Sequence, residues 1–209
     1  MDNHPFEQIL ARLHAAQTEL NAEIDRLLAA NRERFRYTLE RGRVVFDQGV
    51  HYLQRQRRTG VWHYLRTAPL GYLLSAPLIY SLILPLALLD AWITLYQHVC
   101  FRVYRIPRVR RRDYFVIDRH RLGYLNAIEQ LNCAYCGYAN QLLEYSREVA
   151  ARTEQFWCPI KHARRTPDPH VRSRRFIDYG DADAYPPGLR ARRDALRDDS
   201  GDAENSPGT

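Results

Sequence analysis

Between Thr67 and Phe101 the chain carries one charged residue, Asp90, and no other stretch limits the fold as strongly. The charge-free part, Thr67 to Leu89, exceeds the roughly 20 apolar residues that span a bilayer. As one helix, residues 67–101 would be about 52 Å long at 1.5 Å per residue, well beyond a hydrocarbon core of roughly 30 Å. A straight single span leaves too much over. Pro69, Pro77 and Pro85 recur at intervals of eight, and proline inside a helix removes a hydrogen bond and kinks it. A bent span or a shallow re-entrant hairpin is therefore expected, within a membrane region of residues 61–105.

The flanks bear on topology. Arg55, Arg57, Arg58 and Arg66 precede the segment, and Arg102, Arg105, Arg108, Arg110, Arg111 and Arg112 follow it. Basic flanks stay in the cytoplasm. A single span must export the weaker N-terminal flank, whereas a hairpin keeps both inside, and the hairpin is preferred on this ground. Either way, the chain beyond the segment is expected to be cytoplasmic. Trp62, Tyr64, Tyr72, Tyr80, Trp92 and Tyr96 suit the interfacial belt. A carboxylate at bilayer depth costs roughly 2.5–3.5 kcal/mol on insertion scales, so Asp90 is a functional candidate. The alternative puts it at the interface beside Trp92 and Tyr96. His98 and Cys100 could ligate a metal or bind a cofactor headgroup, although lone residues of this kind are more often structural.

The mean hydropathy of -0.51 averages two polar ends with this apolar middle, so it does not argue for a soluble chain. The net charge of +7 is almost all arginine, since Lys161 is the only lysine. Such a bias can reflect nucleotide composition alone. A basic excess suits nucleic acid or anionic lipid, and the crowding of arginines beside the apolar run favours lipid phosphates. Nucleic acid is an unlikely partner. The N-terminus lacks the apolar core of a secretory signal.

Ahead of the membrane region, residues 1–60 read as amphipathic and coiled-coil-like. Residues 5–36 carry Phe6, Ile9, Leu10, Leu13, Leu20, Ile24, Leu27 and Leu28 at helical spacing. Leu13, Leu20 and Leu27 recur every seven residues, while Gln17 and Asn31 interrupt the alternate heptad positions, so any coiled coil is short. Self-association through this helix and packing on the rest of the chain stand as alternatives. The pattern loosens through Gly42 and Gly49 into a basic collar at residues 54–58.

Behind it, residues 106–165 read as a small helical module. Asp113 to Ile117 is β-prone. Leu122, Leu125, Ile128 and Leu131 mark one helix running into Cys133, and Leu142, Leu143, Tyr145, Val149 and Phe156 mark a second from Asn140, a fair N-cap. Residues 166–209 turn to Pro, Arg, Asp and Gly, and a disordered tail is expected.

The module also holds the soft metal donors. Cys133 and Cys136 form C-x2-C, and Cys158 and His162 form C-x3-H. Three thiolates and an imidazole make a full tetrahedral set for zinc, and an iron–sulfur cluster uses the same donors. A turn would present the first pair and a helical turn the second. One objection is geometric: a straight helix over 140–156 would hold the pairs about 25 Å apart. A shared site then needs a broken helix or a second chain; otherwise the pairs are separate sites or inert thiols. Cys133 and Cys136 alone could act as a redox dithiol.

The runs Asn132-Cys133, Tyr135-Cys136, Tyr138-Ala139-Asn140, Ala151-Arg152-Thr153-Glu154 and Trp157-Cys158-Pro159-Ile160-Lys161-His162-Ala163 resemble a family of uncharacterised bacterial membrane proteins over roughly residues 68–165. A glycine usually follows Tyr-Ala-Asn in that family, where this chain has Gln141. The resemblance implies a bacterial inner-membrane protein and no assigned activity.

The resulting expectation is a mainly α, membrane-attached helical protein with an N-terminal amphipathic helix, a proline-kinked membrane segment and a small helical Cys/His module. Its partners would be the lipid bilayer, a second copy through the N-terminal helix, and a protein partner held by a structural Cys3His zinc module. A closed Cys3His shell has no open position for substrate. A redox protein using the same ligands is the alternative, and no hydrolase or nucleotide motif is present.

Overall fold

The computed structural model describes residues 4–40, 43–164 and 166–198. They fall into two compact units, one drawn from Met1–Thr59 and Arg121–Asn126, the other from Gly60–His120 and Ala127–Thr209. Helix dominates both.

In the first unit, α1 (His4–Phe35) is a single long helix. Ile9, Leu13, Leu20, Ile24, Leu27 and Leu28 form an exposed stripe on it. The chain then makes an antiparallel pair, β1 (Tyr37–Glu40) with β2 (Arg43–Phe46), where only a loosening pattern was expected. Val44, Val45 and Phe46 favour a pleated strand, and the rings of Tyr37 and Phe46 meet across the pair at 5.6 Å. Helix α2 (Gln48–Gln56) follows, with the Asp47 side chain accepting from the Gly49 N–H at its start. The side chain of Gln54 accepts from the Gly123 N–H at 3.1 Å, which ties 121–126 into this unit.

The second unit is organised by two long helical runs. Helix α3 (Val61–Thr67) ends before Pro69, which sits at the N-cap of α4 (Leu70–Ser81). Leu82 interrupts α4 and α5 (Ile83–Tyr96) for one residue: its N–H bonds back three residues to Ile79, while the Leu86 N–H still reaches Leu82. The interruption lies three residues before Pro85, whose ring excludes a normal bond to the preceding turn. A π turn (Gln97–Phe101) and α6 (Arg102–Tyr104) carry the helix onward. Residues Leu70–Tyr104 thus form one helix of 35 residues, long and apolar enough to cross a membrane. No reversal of the hairpin kind occurs within it. Prolines at a cap, inside α4 and in the first turn of α5 perturb single hydrogen bonds without turning the chain back.

The second run is α7 (Ala127–Trp157), again one helix where two were expected. Asn140 caps nothing; its side-chain amide donates to the Cys136 carbonyl one turn back. Leu142, Tyr145, Val149 and Phe156, spaced three, four and seven apart, all lie buried on one face. That face packs on the preceding helix, and the contacts advance together: Tyr80 with Asn132, Asp90 with Tyr138, Gln97 with Tyr145, Tyr104 stacked on Phe156 at 4.6 Å. The two helices therefore run parallel. The connection between them is irregular, with a 3-10 turn at Arg111–Asp113 in place of the expected strand at 113–117.

Residues 166–198 are structured where a tail was expected. A 3-10 turn (Val171–Arg175) leads to buried Phe176 and Ile177 and then to α8 (Tyr185–Asp198), whose Leu196 is fully buried in the core with Phe101, Ile106 and Val109. These apolar residues stand singly, so no periodicity announces them. The part of the expected tail beyond 198 lies outside the described residues.

Candidate functional site

On the apolar helix the polar side chains turn inward. The Asp90 carboxylate accepts both guanidinium nitrogens of Arg111, one at 2.6 Å, and the Tyr138 hydroxyl at 2.8 Å. The Thr94 hydroxyl adds a longer bond at 3.4 Å. One carboxylate thereby joins α5, the connecting segment and α7. A bidentate arginine–carboxylate pair with a further donor satisfies a charge that would otherwise be costly to cover. Arg111 also lies over the Phe115 ring, 4.1 Å from its centroid. The Asp90 bonds hold Arg111 firmly cationic, raising its pKa further. Burial pushes the Tyr138 phenol up, and its bond to Asp90 adds to this.

Two turns further on, Gln97 is buried and fully used. Its amide donates to the Tyr145 hydroxyl and its carbonyl accepts from the Val109 N–H at 3.1 Å. The π turn places Gln97 and Phe101 together inside the core, and such turns recur at functional positions.

Beside these residues opens a cleft of about 940 Å³. The end of the apolar helix forms one wall, the 107–114 segment a second, and α7 with the 171–175 turn the others. Glu148 lies between two arginines: Arg152 donates to it at 2.8 Å and Arg172 at 2.9 Å. Arg152 also donates to the Pro107 carbonyl, and Arg172 to the Gln155 side chain. Tyr114 stands on the same wall with its pKa pushed up to about 12, chiefly by burial and then by Glu148. It remains a neutral hydroxyl at physiological pH.

The cysteine and histidine ligands do not converge. Cys133 and Cys136 lie in the first third of α7, while Cys158 follows its last residue. Twenty-two residues of unbroken helix put Cys136 and Cys158 about 33 Å apart, whereas ligands of one zinc stand within about 4 Å of each other. Among the described residues no three of His, Cys, Asp or Glu are grouped to hold a metal ion. The second pair is not on a helical turn either. Pro159 sits in a three-residue turn closed by the Ile160 N–H on the Cys158 carbonyl, and Ile160 bridges Ile177. One folded chain therefore cannot close the Cys3His shell, and the same spacing defeats a single iron–sulfur cluster. Cys133 and Cys136 are three residues apart on α7. Side chains three apart on a helix have Cβ atoms about 5–6 Å apart, and a disulfide needs about 3.5–4.5 Å. Cys100 is a half-buried free thiol, and His98 bonds the Thr94 carbonyl.

Asp90 was legible as a candidate from its isolation in the apolar run. Its partners Arg111 and Tyr138 were not, because both depend on the parallel pairing of helices that are distant in sequence. No protein-family model, no curated protein and no solved structure matches the chain.

Proposed function

We propose that the chain is a membrane-anchored module whose helix 70–104 crosses a bacterial inner membrane and continues out of it as the spine of a cytoplasmic helical unit. The inverted polarity of that helix carries the reading. Leu84, Leu88, Trp92, Leu95, Val99 and Val103 are all more than half exposed, while Asp90, Thr94 and Gln97 turn towards protein partners. A helix on the surface of a water-soluble protein shows the opposite arrangement. At about 52 Å the helix outreaches a roughly 30 Å hydrocarbon core by about 20 Å. The packing on α7 begins at Tyr80 and runs to Tyr104, so α7 accompanies the helix over more than the part that leaves the bilayer. The six arginines at 102–112 favour a cytoplasmic C-terminal side. The module acts by interaction, with its exposed α1 stripe available to a second copy.

Extraction with alkaline carbonate tests the anchor: the protein stays with the membrane pellet, and release into the supernatant would sink the reading. Reporter fusions at the two ends then give opposite sides for a span and one side for a hairpin.

The spacing of Cys133 and Cys136 supports a second reading. At about 100° per residue they lie on the side of α7 away from Leu142 and Tyr145, and Cys136 is exposed. Two copies inserted in one membrane share direction, so equal depths meet and a C-x2-C pair finds its counterpart rather than Cys158 and His162. The site then holds four thiolates, two from each chain. Metal analysis distinguishes it: about one zinc per two chains, lost in Cys133→Ser or Cys136→Ser and kept in Cys158→Ser and His162→Ala. Equal loss in all four variants would restore the Cys3His set.

A further inference from the structure

The cleft beside α7 is unbalanced in charge. Arg108, Arg110, Arg111, Arg152, Arg172 and Arg175 line it. The carboxylates that face these arginines are Asp90, Asp113 and Glu148. Asp90 is matched by Arg111, while Glu148 is shared by Arg152 and Arg172, whose side chains are only 15% and 18% exposed. Asp113 pairs with Arg112, outside the lining. Arg108, Arg110 and Arg175 have no ion-pair partner among the described residues.

Three features give this surplus a direction. First, the arginines come from separate elements, the 107–114 segment, α7 and the 171–175 turn, so the fold gathers like charges that a solvated surface would spread apart. Second, Arg152 and Arg172 are held in place by their bonds to Glu148, Pro107 and Gln155, so these guanidinium forks are oriented before any ligand arrives. Third, a cleft of about 940 Å³ lies near the top of the range of roughly 300–1,000 Å³ for small-molecule sites. A bare anion would leave most of it empty. Planar forks lining one cleft suit the oxygens of a phosphoryl group, which accepts paired hydrogen bonds from several arginines at once.

We propose that this cleft binds a phosphate-bearing ligand, with Arg108, Arg110 and Arg175 supplying the unpaired guanidinium groups and the Tyr114 hydroxyl lining the same wall. The phosphate belongs either to the headgroup of an anionic phospholipid or to a soluble phosphate ester. Thr94, Gln97 and His98 bring the end of the apolar helix to the cleft, so a headgroup at the membrane surface is within its reach. Only the lipid source rests on the membrane reading.

The experiment uses the full chain in detergent micelles, with glycerol phosphate followed by calorimetry and phosphatidylglycerol against phosphatidylcholine followed by native mass spectrometry. Arg108→Gln with Arg175→Gln removes two cleft charges and no ion pair, and Arg102→Gln with Arg174→Gln removes two exposed charges outside the lining. The cleft variant is expected to lose about tenfold or more in affinity, and the control to stay within about twofold. Circular dichroism confirms that both variants keep their helices. Binding of glycerol phosphate that the cleft variant loses assigns a soluble source. Selective retention of phosphatidylglycerol that it loses, without glycerol phosphate binding, assigns a lipid. Equal loss in both variants, or no binding of either probe by the unaltered chain, overturns the site. If carbonate releases the protein while glycerol phosphate still binds, the membrane reading fails and the cleft stands.

Discussion

The two halves of the apolar helix are built on opposite principles. In α4 no residue is buried by the chain, and it makes few tertiary bonds: the Tyr80 side chain reaches Asn132, and the Ile79 backbone carbonyl accepts from the Tyr135 hydroxyl. From Leu86 onward one side of the same helix becomes core, with Leu86, Leu89, Ile93 and Tyr96 packed on the buried cluster and Phe101 fully inside it. The first half stays largely outside the core, and the second is packed on it. A hydropathy profile cannot separate them, because Leu and Ile look the same exposed as facing α7.

The largest expected effect lies in the packed half. Phe101→Ala empties a fully buried site and is expected to cost about 3–5 kcal/mol, read by chemical unfolding in micelles. Leu74→Ala, on a residue 72% exposed, is expected to leave that measurement unchanged. Similar losses at both positions would erase the distinction.

A charge separates the halves the other way. Leu74 and Val103 are equally exposed at 72%, so water alone would treat Leu74→Arg and Val103→Arg alike, within about 0.5 kcal/mol. Lipid around the first half predicts about 2.5–3.5 kcal/mol against insertion for Leu74→Arg and almost nothing for Val103→Arg. A membrane-insertion assay with glycosylation reporters decides between them, and equal behaviour would remove the bilayer from the account.

Asp90 stands where the halves meet. Asp90→Asn loses the charge-assisted pair with Arg111 and is expected to cost about 1–3 kcal/mol by thermal unfolding. Ser75→Ala, whose hydroxyl bonds only the Tyr72 carbonyl within its own helix, should cost nothing measurable. If Asp90→Asn is silent too, the carboxylate does not join the halves.

How much of this was readable in the chain follows the same division. The apolar run, its length and the oddity of Asp90 rest on local composition, which a sequence displays directly. The expected hairpin arose from treating excess length as something a bilayer had to absorb, whereas the helix runs on unbroken and packs on α7 from Tyr80 to Tyr104. The Cys3His set does not close within one chain for a related reason: C-x2-C and C-x3-H are local patterns, but their convergence depends on whether residues 137–140 break a helix. Gly137 and Asn140 stay helical because Leu142, Tyr145 and Val149 continue one buried face. The arginine cleft was invisible because Arg108, Arg152 and Arg175 belong to three segments.

Alkali sharpens the comparison from the tyrosine side. Tyr114, Tyr138 and Tyr145 all pack in the second half, and burial raises the pKa of each, that of Tyr114 from 10.0 to about 12. A phenol with a raised folded pKa holds its proton longer in the native state, so its stabilising contribution is complete below pH 10 and disappears as pH rises towards 12. Stability is expected to be flat up to about pH 10 and to fall beyond it. Phenolate absorbance should show these tyrosines ionising late, together with loss of helix. Fourteen tyrosines titrating together near pH 10 in a folded chain would contradict the packing.

The smallest effect concerns how the packed half stops. The first half is interrupted at Leu82 in an ordinary right-handed conformation, φ −62 and ψ −14, whereas the second ends at Arg105 in the left-handed region, φ 57 and ψ 43. The Ile106 N–H bonds the Phe101 carbonyl at 3.0 Å, and the Arg105 N–H bonds the Arg102 carbonyl at 3.3 Å. This is a Schellman ending, with Ile106 and Phe101 both in the core as the accompanying apolar contact. Glycine usually occupies that position, and an L side chain there costs about 1–2 kcal/mol. Arg105→Gly should recover part of this, offset by the greater freedom of glycine in the unfolded chain, for a net gain of up to about 1 kcal/mol. Arg105→Asn, which tolerates the same conformation, removes the charge as a control and should be nearly neutral. Arg105→Val should lose stability, because branching at Cβ is least compatible with positive φ. If glycine is worse than arginine by the same thermal unfolding measure, the helix is held at its end by the Arg105 side chain and not by the turn.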